Sequence, residues 1–330
     1  MQVLITLILV LGFVSPCLCA RWNLEETSDN YTFNVVQYGA RGDGKSDDTQ
    51  AFLMAWNSTC GVTQGQATLV IPPNLSFLVN NLIFEGPCKA SSIIIQVYIA
   101  NSLLIDGGGN GSIDGSGSTW WDCASCPRPP VLHFHACNDF SVANLKVGNG
   151  PRSHIAIDGC NNAKFSNLLV NASSTSPNTD GFDIASSKYI LIEDSIISTG
   201  DDCIAINGGS SFIDATRISC GPGHGISVGS LGKNNVHETV EEIHVHNISF
   251  IGTTNGARIK TYPGGSGYAK NITFEQINLT NVTYPIIIDQ HYAKISPQDS
   301  NVLVSDVTYR GFNGTSASGI PIKLDCSSLG

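Results

Sequence analysis

Four short polar motifs between residues 176 and 262 contain the side chains best suited to chemistry. They are Asn178-Thr179-Asp180, Gly200-Asp201-Asp202, Gly223-His224-Gly225 and Arg258-Ile259-Lys260. Hydrolysis of a glycosidic bond needs one carboxylic acid that protonates the leaving oxygen and a second carboxylate that activates water or attacks directly. Crowded carboxylates repel each other, so one of them retains its proton above its usual pKa and supplies the acid. The motifs therefore predict a site for glycoside hydrolysis.

The spacing of the motifs supports this prediction. Asp180 and Asp202 are 22 residues apart, and so are Asp202 and His224. Equal steps place side chains in a row when the chain forms stacked coils of that length. Asp201 and Asp202 would face opposite sides of an extended strand. Both reach one groove only if the backbone bends, and Gly200 permits such a bend.

Two cations complete the row. Arg258 and Lys260 flank Ile259, so on a strand both point outward, where they suit the carboxylate of a uronic acid. The net charge of −10 and the pI of about 5.1 argue against general nucleic-acid binding. The same charge repels an acidic sugar polymer, so local cations would have to hold such a substrate.

Each motif also has a simpler interpretation. Gly-Asp-Asp is a common turn, Asn178-Thr179-Asp180 fits an Asx turn, a histidine between glycines fits a turn, and Arg-x-Lys fits a solvated strand. Clustered aspartates can also bind Ca²⁺, as in pectate lyases, where a base abstracts a proton. The row continues into a histidine and two cations, which disfavours calcium, and the sequence contains no zinc-type Cys/His set. The common spacing favours the hydrolytic site, with no metal.

The elements that must position these residues are short strands. From Ala67 onward, Ile- and Val-rich runs alternate with Gly, Asn, Asp and Ser, without helical periodicity. Ile184, Ile206 and Val228 recur at steps of 22, flanked by residues 155–157 and 286–288. A second series comprises residues 190–192, 217–218, 243–245 and 272–274. Two interleaved series predict an all-β fold, a right-handed single-stranded parallel β-helix, rather than a leucine-rich repeat or a propeller.

The N-terminal region differs from the repeats. Residues 1–20 read as a signal peptide, because the apolar run of residues 3–14 is too short to span a membrane and small residues follow it. Residues 33–36 are strand-like. Residues 50–56 are the one convincing helix candidate and would cap the solenoid. The predicted organisation is a signal peptide followed by a single catalytic domain over residues 21–330.

Cysteines and glycosylation sequons agree with export. Nine cysteines follow the signal segment, so at least one is unpaired. Cys123-x-x-Cys126 favours a disulfide or a buried thiol over redox or zinc chemistry, and Cys137, Cys160 and Cys203 are expected in the interior stack. Ten Asn-x-Ser/Thr sequons occur, at Asn30, Asn57, Asn74, Asn110, Asn171, Asn247, Asn271, Asn278, Asn281 and Asn313.

At its four motifs the sequence resembles the polygalacturonase family of glycoside hydrolases, especially its plant members. The matching segments are residues 176–181, 200–203, 220–232 and 258–261, with further likeness at 33–52, 86–89 and 285–290. The resemblance implies inverting hydrolysis of α-1,4-galacturonosyl bonds in homogalacturonan, the polymer of pectin. It also implies no metal or organic cofactor, and a secreted monomer of the plant cell wall with no membrane or nucleic-acid partner.

The resemblance also implies a role for each site residue. Asp201 is the general acid, Asp180 and Asp202 position and deprotonate the water, and His224 supports the acid. Asn178, Arg258, Lys260 and Tyr292 bind the substrate, and Cys203 and Cys220 form a disulfide.

Three departures from the family pattern stand out. Tyr262 replaces a tryptophan, Ala293 stands where many plant relatives have cysteine, and the chain ends soon after Cys326. We therefore expect the β-helix to lack its C-terminal coils and Cys326 to be unpaired. The alternative function is a catalytically silent or truncated pectin-binding β-helix. A hydrolase for xylogalacturonan or rhamnogalacturonan is a further alternative, and the two cations disfavour rhamnogalacturonan.

Overall fold

A computed structural model describes residues 30–72, 75–79, 83–84, 88–90, 92–98, 104–123, 126–294 and 299–329. The predicted signal peptide lies outside these residues. One α-helix, α1 (Thr49–Gly61), and four short 3₁₀ helices occur in them, the latter at Val35–Tyr38, Gly117–Thr119, Lys233–Asn235 and Tyr292–Lys294. No helix in these ranges combines the length and apolar character that a membrane span requires.

The described residues otherwise form strands. In chain order these are β1 Asn30–Asn34, β2 Asp43–Asp47, β3 Gln66–Ile71, β4 Ser76–Leu78, β5 Ile83–Phe84, β6 Ser92–Tyr98, β7 Leu104–Asp114, β8 Leu132–His135, β9 Asn138–Gly148, β10 Ile155–Asp158, β11 Asn161–Ser166, β12 Leu169–Asn171, β13 Phe182–Ala185, β14 Lys188–Ser198, β15 Ile204–Ile206, β16 Ser211–Cys220, β17 Ile226–Leu231, β18 His237–Ile251, β19 Asn255–Thr261, β20 Ser266–Val282, β21 Tyr284–Asp289, β22 Asn301–Ser316 and β23 Ile322–Asp325.

The strands stack into two long parallel sheets. The first sheet has the order β1-β3-β6-β8-β10-β13-β15-β17-β19-β21-β23, and the second has the order β22-β20-β18-β16-β14-β11-β9-β7-β5, with β12 between β14 and β9. Strands β2 and β4 form a small third sheet. Along the chain, strands of the first sheet alternate with strands of the second over most of the described residues, so the predicted right-handed parallel β-helix is confirmed.

The first predicted strand series is confirmed residue by residue. Ile184 pairs with Ile206, and Ile206 pairs with Val228. The second series is correct except at one coil. Ile190 pairs with Ile213, not with the predicted segment 217–218, and Ile218 pairs instead with Ser195. The prediction placed the right strand in the wrong register.

Left-handed residues explain this error. Strand β16 contains two residues with positive φ, Phe212 (56°) and Arg217 (52°). Equivalent bends recur in the neighbouring coils, for example at Asn162 (58°) and Asn167 (55°). Each bend turns the strand around a corner of the solenoid, and the short polar side chain of asparagine tolerates this conformation best. Counting alternate positions along the sequence does not account for these left-handed residues and therefore gives the wrong register.

The interior is a continuous apolar stack. Phe134, Phe165 and Phe182 are fully buried and meet edge to face, with centroids 5.7 and 5.3 Å apart. Cys137 and Cys160 are buried in this stack, as expected. The predicted helix exists as α1 and extends beyond the predicted range to Gly61, packing against β1 and β3. Of the predicted strand 33–36, only the first two residues belong to β1, because a 3₁₀ helix begins at Val35.

Candidate active site

One groove lies along the first sheet, at the point where the predicted row of site residues precedes the strands of that sheet. Asp180, Asp202 and His224 each lie two residues before the first residue of β13, β15 and β17, respectively, and these three strands pair in register at their first residues. The backbone N–H of Gly181 donates to the carbonyl oxygen of Asp202 at 2.9 Å, which continues the same ladder. The three residues therefore occupy equivalent positions on successive coils.

A backbone bend brings both neighbouring aspartates to the groove. Residues 200 and 201 form the bend, and Asp201 and Asp202 both line the groove. Gly200 is required by close contact, because a Cβ atom there would lie 2.1 Å from the carbonyl oxygen of Ser176. The glycine thus allows one coil to pass tightly over the coil beneath it, and the turn that follows presents both carboxylates.

His224 is bound to Asp201 through its ring. Its Nδ1 atom lies 2.8 Å from Oδ1 of Asp201. Burial acts to raise the pKa of Asp201, but the hydrogen bond and charge of His224 outweigh it and lower this pKa below its ordinary value. Asn255 donates to the backbone carbonyl of His224 at 3.1 Å, which further fixes the turn. The two contacts fix the carboxylate of Asp201 and the imidazole of His224 relative to each other.

Asp202 is buried beneath two cations. Only 1% of the residue is exposed. Arg258 donates to its Oδ1 atom at 2.5 Å and Lys260 donates to its Oδ2 atom at 2.8 Å. Ser227 also donates to Oδ1 at 2.9 Å and accepts a hydrogen bond from Arg258 at 2.7 Å. Both oxygens of Asp202 therefore act as acceptors, in an ion-pair network that crosses three coils.

Asp180 has the opposite electrostatic environment. Protein encloses most of its carboxyl group, although part of the residue reaches solvent. This burial, together with the negative charges of Asp202 and Asp201, raises the pKa of Asp180 well above its ordinary value. The charge of Lys260 opposes the shift but does not cancel it. Asp180 therefore retains its proton to a higher pH than an ordinary aspartic acid does.

The predicted substrate-binding residues border the same groove. Asn178 and Tyr292 both line it. Asn178 is exposed, and its Oδ1 atom accepts a hydrogen bond from Arg128 at 2.6 Å. The ring of Tyr292 lies against Lys260, with Nζ 5.3 Å from the ring centroid, and meets Tyr262 edge to face. The structure brings every predicted residue of the site to this groove or to its immediate wall.

Sequence reasoning missed several groove residues. Asp183 lines the groove and accepts a hydrogen bond from Asn207 at 2.7 Å. Burial raises the pKa of Asp183, while the nearby Arg152 acts to lower it. Ser227 was also missed, although it bridges Asp202 and its arginine. Asp183 and Ser227 each follow the apolar first residue of a strand. Because side chains alternate between the two faces of a strand, this second position points away from the interior, and the alternation would have identified both residues.

Asp201, Asp202 and His224 are also close enough to bind a metal. Their donor atoms lie within 4.8 Å of one another. The oxygens of Asp202 are already bound by Arg258 and Lys260, and these two positive charges oppose a further cation at the same carboxylate. The chemistry of this set therefore fits proton transfer better than metal binding.

A disulfide secures the coil that carries the aspartates. Cys203 follows Asp202 directly and is bonded to Cys220, with an S–S distance of 2.04 Å. Two further disulfides join Cys60 to Cys88, which the sequence did not indicate, and Cys123 to Cys126. Cys326 is free and exposed. The Cys203–Cys220 disulfide links the start of β15 to the end of β16 and thereby restrains the backbone beside Asp202.

Known proteins with related sequences align with most of this chain. The chain is 44% identical over 330 residues to a protein of Arabidopsis thaliana named probable polygalacturonase, covering 91% of this chain and 71% of the relative. It is 40% identical to polygalacturonase-2 of Solanum lycopersicum, covering 96% and 77% of the two chains.

Solved structures agree on the architecture. The endo-xylogalacturonan hydrolase from Aspergillus tubingensis superposes with a TM-score of 0.69 at 28% identity, over 91% of this chain and 89% of the other. A polygalacturonase from Erwinia carotovora gives a TM-score of 0.65 at 22% identity, over 87% and 94%, which supports the fold alone. The family model for glycosyl hydrolases family 28 matches residues 63–329. The protein with this groove therefore belongs to glycosyl hydrolases family 28.

Proposed function

We propose that this glycoside hydrolase is a polygalacturonase that cleaves α-1,4-galacturonosyl bonds of homogalacturonan with inversion. The observation that carries the proposal is the groove in which Asp180, Asp201 and Asp202 meet two cations. Paired carboxylates supply the acid and base of glycoside hydrolysis. The names of the relatives that are 40–44% identical support the substrate.

Asp201 is the proposed general acid, with His224 supporting it. The two side chains are joined at 2.8 Å. The hydrogen bond and charge of His224 favour the ionised form of Asp201 and so lower the pKa of this carboxyl, although burial acts to raise it. A protonated Asp201 is therefore a stronger acid towards the leaving oxygen, and the carboxylate that remains after the proton has left is stabilised by the same contact.

Asp180 and Asp202 are the proposed residues that position and deprotonate the attacking water. The raised pKa of Asp180 makes its ionised form a stronger base than an ordinary carboxylate. Asp202 is held rigidly by Arg258, Lys260 and Ser227 and accepts hydrogen bonds at both oxygens. This rigidity makes it a fixed acceptor for the orientation of the water, beside the base that removes its proton.

Asn178, Arg258, Lys260 and Tyr292 are the proposed substrate contacts. A guanidinium group has five N–H donors and an ammonium group has three, so both cations retain donors for a galacturonate carboxylate after binding Asp202. Tyr292 offers an aromatic wall beside Lys260. The groove has a volume of about 570 Å³, within the usual range of small-molecule sites.

A secreted monomer of the plant cell wall, built as one β-helix domain, is the proposed context. Three disulfides support an oxidising compartment. The plant relatives named polygalacturonase support pectin as the partner.

The test compares the purified protein with its Asp201→Asn variant on polygalacturonate and follows new reducing ends. Asp139→Asn is the matched control, because it makes the same change at an exposed aspartate outside the groove. We expect full activity in the control and a loss of about 10²- to 10⁴-fold in Asp201→Asn. Product lengths from the active protein then distinguish endo from exo cleavage.

Two other outcomes would replace the proposal. A folded protein that binds polygalacturonate and releases no reducing ends would be a silent pectin-binding β-helix. Faster cleavage of xylogalacturonan than of polygalacturonate would assign the substrate named for the Aspergillus structure instead.

A further inference from the structure

A second cluster of chemically capable side chains lies on the other sheet. Asp214 on β16 and His244 and His246 on β18 point outward between the two bends of their coils. Asp214 pairs in register with His244, and His246 lies two residues further along the same face. The cluster therefore depends on the stacking of two coils and is separate from the groove of the first sheet.

We propose that Asp214, His244 and His246 form a binding site for a divalent transition-metal ion of the zinc class. One donor atom from each of the three residues lies within 4.8 Å of the other two. Nε2 of His246 is 3.3 Å from Oδ1 of Asp214, and Nδ1 of His244 is 3.7 Å from Oδ2. Two ligands of a tetrahedral zinc ion lie roughly 3.3–3.5 Å apart, given bonds of about 2.0–2.1 Å.

In each histidine, the ring nitrogen farther from Asp214 contacts a side-chain oxygen, as a metal site requires. Nε2 of His244 lies 3.0 Å from Oε1 of Glu275, and Nδ1 of His246 lies 3.4 Å from Oγ1 of Thr216. Ring N–H groups that donate to these oxygens leave lone pairs on the opposite nitrogens, which lie 3.7 and 3.3 Å from the oxygens of Asp214. This carboxylate–histidine arrangement orients ligands and strengthens metal binding.

Asp214 has an oxygen that its protein neighbours leave without a hydrogen bond. Its Oδ1 atom is buried, and although Nε2 of His246 lies 3.3 Å away, the described residues provide no hydrogen bond to it. A nitrogen lone pair facing a carboxylate oxygen is unfavourable in itself, and a cation between the two removes the repulsion.

The groove over this part of the sheet admits a cation. Glu242 and Asp306 line it beside Asp214 and His244 and add negative charge. Two arginines contact the orienting residues: Nε of Arg310 donates to Oε2 of Glu275 at 2.9 Å, and Arg217 donates to Oγ1 of Thr216 at 3.4 Å. The side chain of His244 is 42% exposed and that of Asp214 is 43% exposed. Solvent can therefore reach the site and occupy the fourth position of the ion. An ion here would clamp the coils of β16 and β18 together.

The test titrates Zn²⁺ into the full, EDTA-treated protein and measures binding by calorimetry, with circular dichroism as a check of folding. We expect one equivalent to bind with a Kd in the micromolar range or below, and Zn²⁺ to raise the Tm. His244→Asn and His246→Asn should each weaken binding at least 100-fold. Glu275→Gln, which keeps the shape of the orienting residue, should weaken it about 10- to 100-fold.

Two controls locate the ion. His237→Asn removes a histidine of the same strand outside the cluster and should leave Zn²⁺ binding unchanged. Asp201→Asn alters the other carboxylate–histidine set and should also leave it unchanged. Absence of saturable Zn²⁺ binding, or binding that survives His246→Asn in a folded protein, would overturn the proposal. Binding that is lost only in Asp201→Asn would overturn it equally, because the ion would then lie in the catalytic groove.

Discussion

Nδ1 of His224 lies 2.8 Å from Oδ1 of Asp201, and the backbone N–H of the same histidine donates to the carbonyl oxygen of Asp201 at 2.8 Å. Two contacts between residues 23 positions apart fix both the ring and the carboxylate across adjacent coils. The side-chain contact also lowers the pKa of Asp201 against the effect of burial. The protonation of Asp201 therefore depends on its coupling to the side chain of His224.

Substitution of His224 tests this coupling. The hydrogen bond and the charge of His224 act to lower the pKa of Asp201, so removing the imidazole should let that pKa rise. In His224→Asn we expect kcat to fall about 10²-fold and the alkaline limb of the pH–kcat profile to move to higher pH, because Asp201 then keeps its proton to a higher pH. Rates of reducing-end release across pH measure both effects. An alkaline limb that stays in place or moves to lower pH would contradict this control of Asp201 by His224.

Substitution of Asp180 separates activity from stability. Its raised folded-state pKa means that the native protein binds more protons than the unfolded chain above the ordinary pKa of aspartate. Stability is therefore lost as pH rises from that value through the folded-state pKa. Asp180→Asn removes this loss, so the variant should exceed the wild type in Tm by a margin that grows from pH 4 to pH 7.

The same variant should lose at least about 10²-fold in activity, because the proposed base is gone. Asp139→Asn provides the comparison for the carboxyl-to-amide change on the surface. Calorimetric Tm values at several pH values measure the margin. An Asp180→Asn margin that stays constant with pH would contradict the raised pKa.

The buried ion pair of Lys260 and Asp202 should be important for folding. Lys260→Met leaves a carboxylate with 1% exposure beside one cation instead of two. We expect the free energy of unfolding to fall by about 3 kcal/mol, measured by urea denaturation. Lys188→Met, at an exposed site, should change it by less than about 0.5 kcal/mol.

A double-mutant cycle gives the strength of this pair. Asp202→Asn with Lys260→Met should cost less than the sum of the two single changes, by at least about 1 kcal/mol. Simple additivity would mean that the two side chains do not stabilise each other in solution.

The disulfide beside Asp202 should affect both stability and activity. Its cysteines are 17 residues apart, and replacing both Cys203 and Cys220 by serine should lower the free energy of unfolding by about 3 kcal/mol. Replacing Cys123 and Cys126, which are 3 apart, should cost about 2 kcal/mol and leave activity unchanged. Urea denaturation and reducing-end assays compare the two pairs. Equal activity in both double variants would show that the first disulfide does not position Asp202.

The fold was predictable to the level of the coil and only partly to the level of the residue. The step of 22 residues identified the column of strands through Ile184, Ile206 and Val228, because every coil there has the same length. It failed on the second sheet at Arg217, where a left-handed residue interrupts the alternation on which register counting depends. The sequence analysis also missed the Cys60–Cys88 disulfide, since no local pattern relates those two cysteines.

By itself, the sequence determined the β-helix and the row of Asp180, Asp202 and His224, because a regular period converts directly into position along a stack of coils. Only the tertiary structure decided which side chains bond to one another. The binding of both cations to Asp202 depends on side-chain direction across three coils, and so does the meeting of Asp214 with two histidines where the sequence indicated no metal site. Register and bends decide those directions, and both arise from long-range packing that no local pattern records.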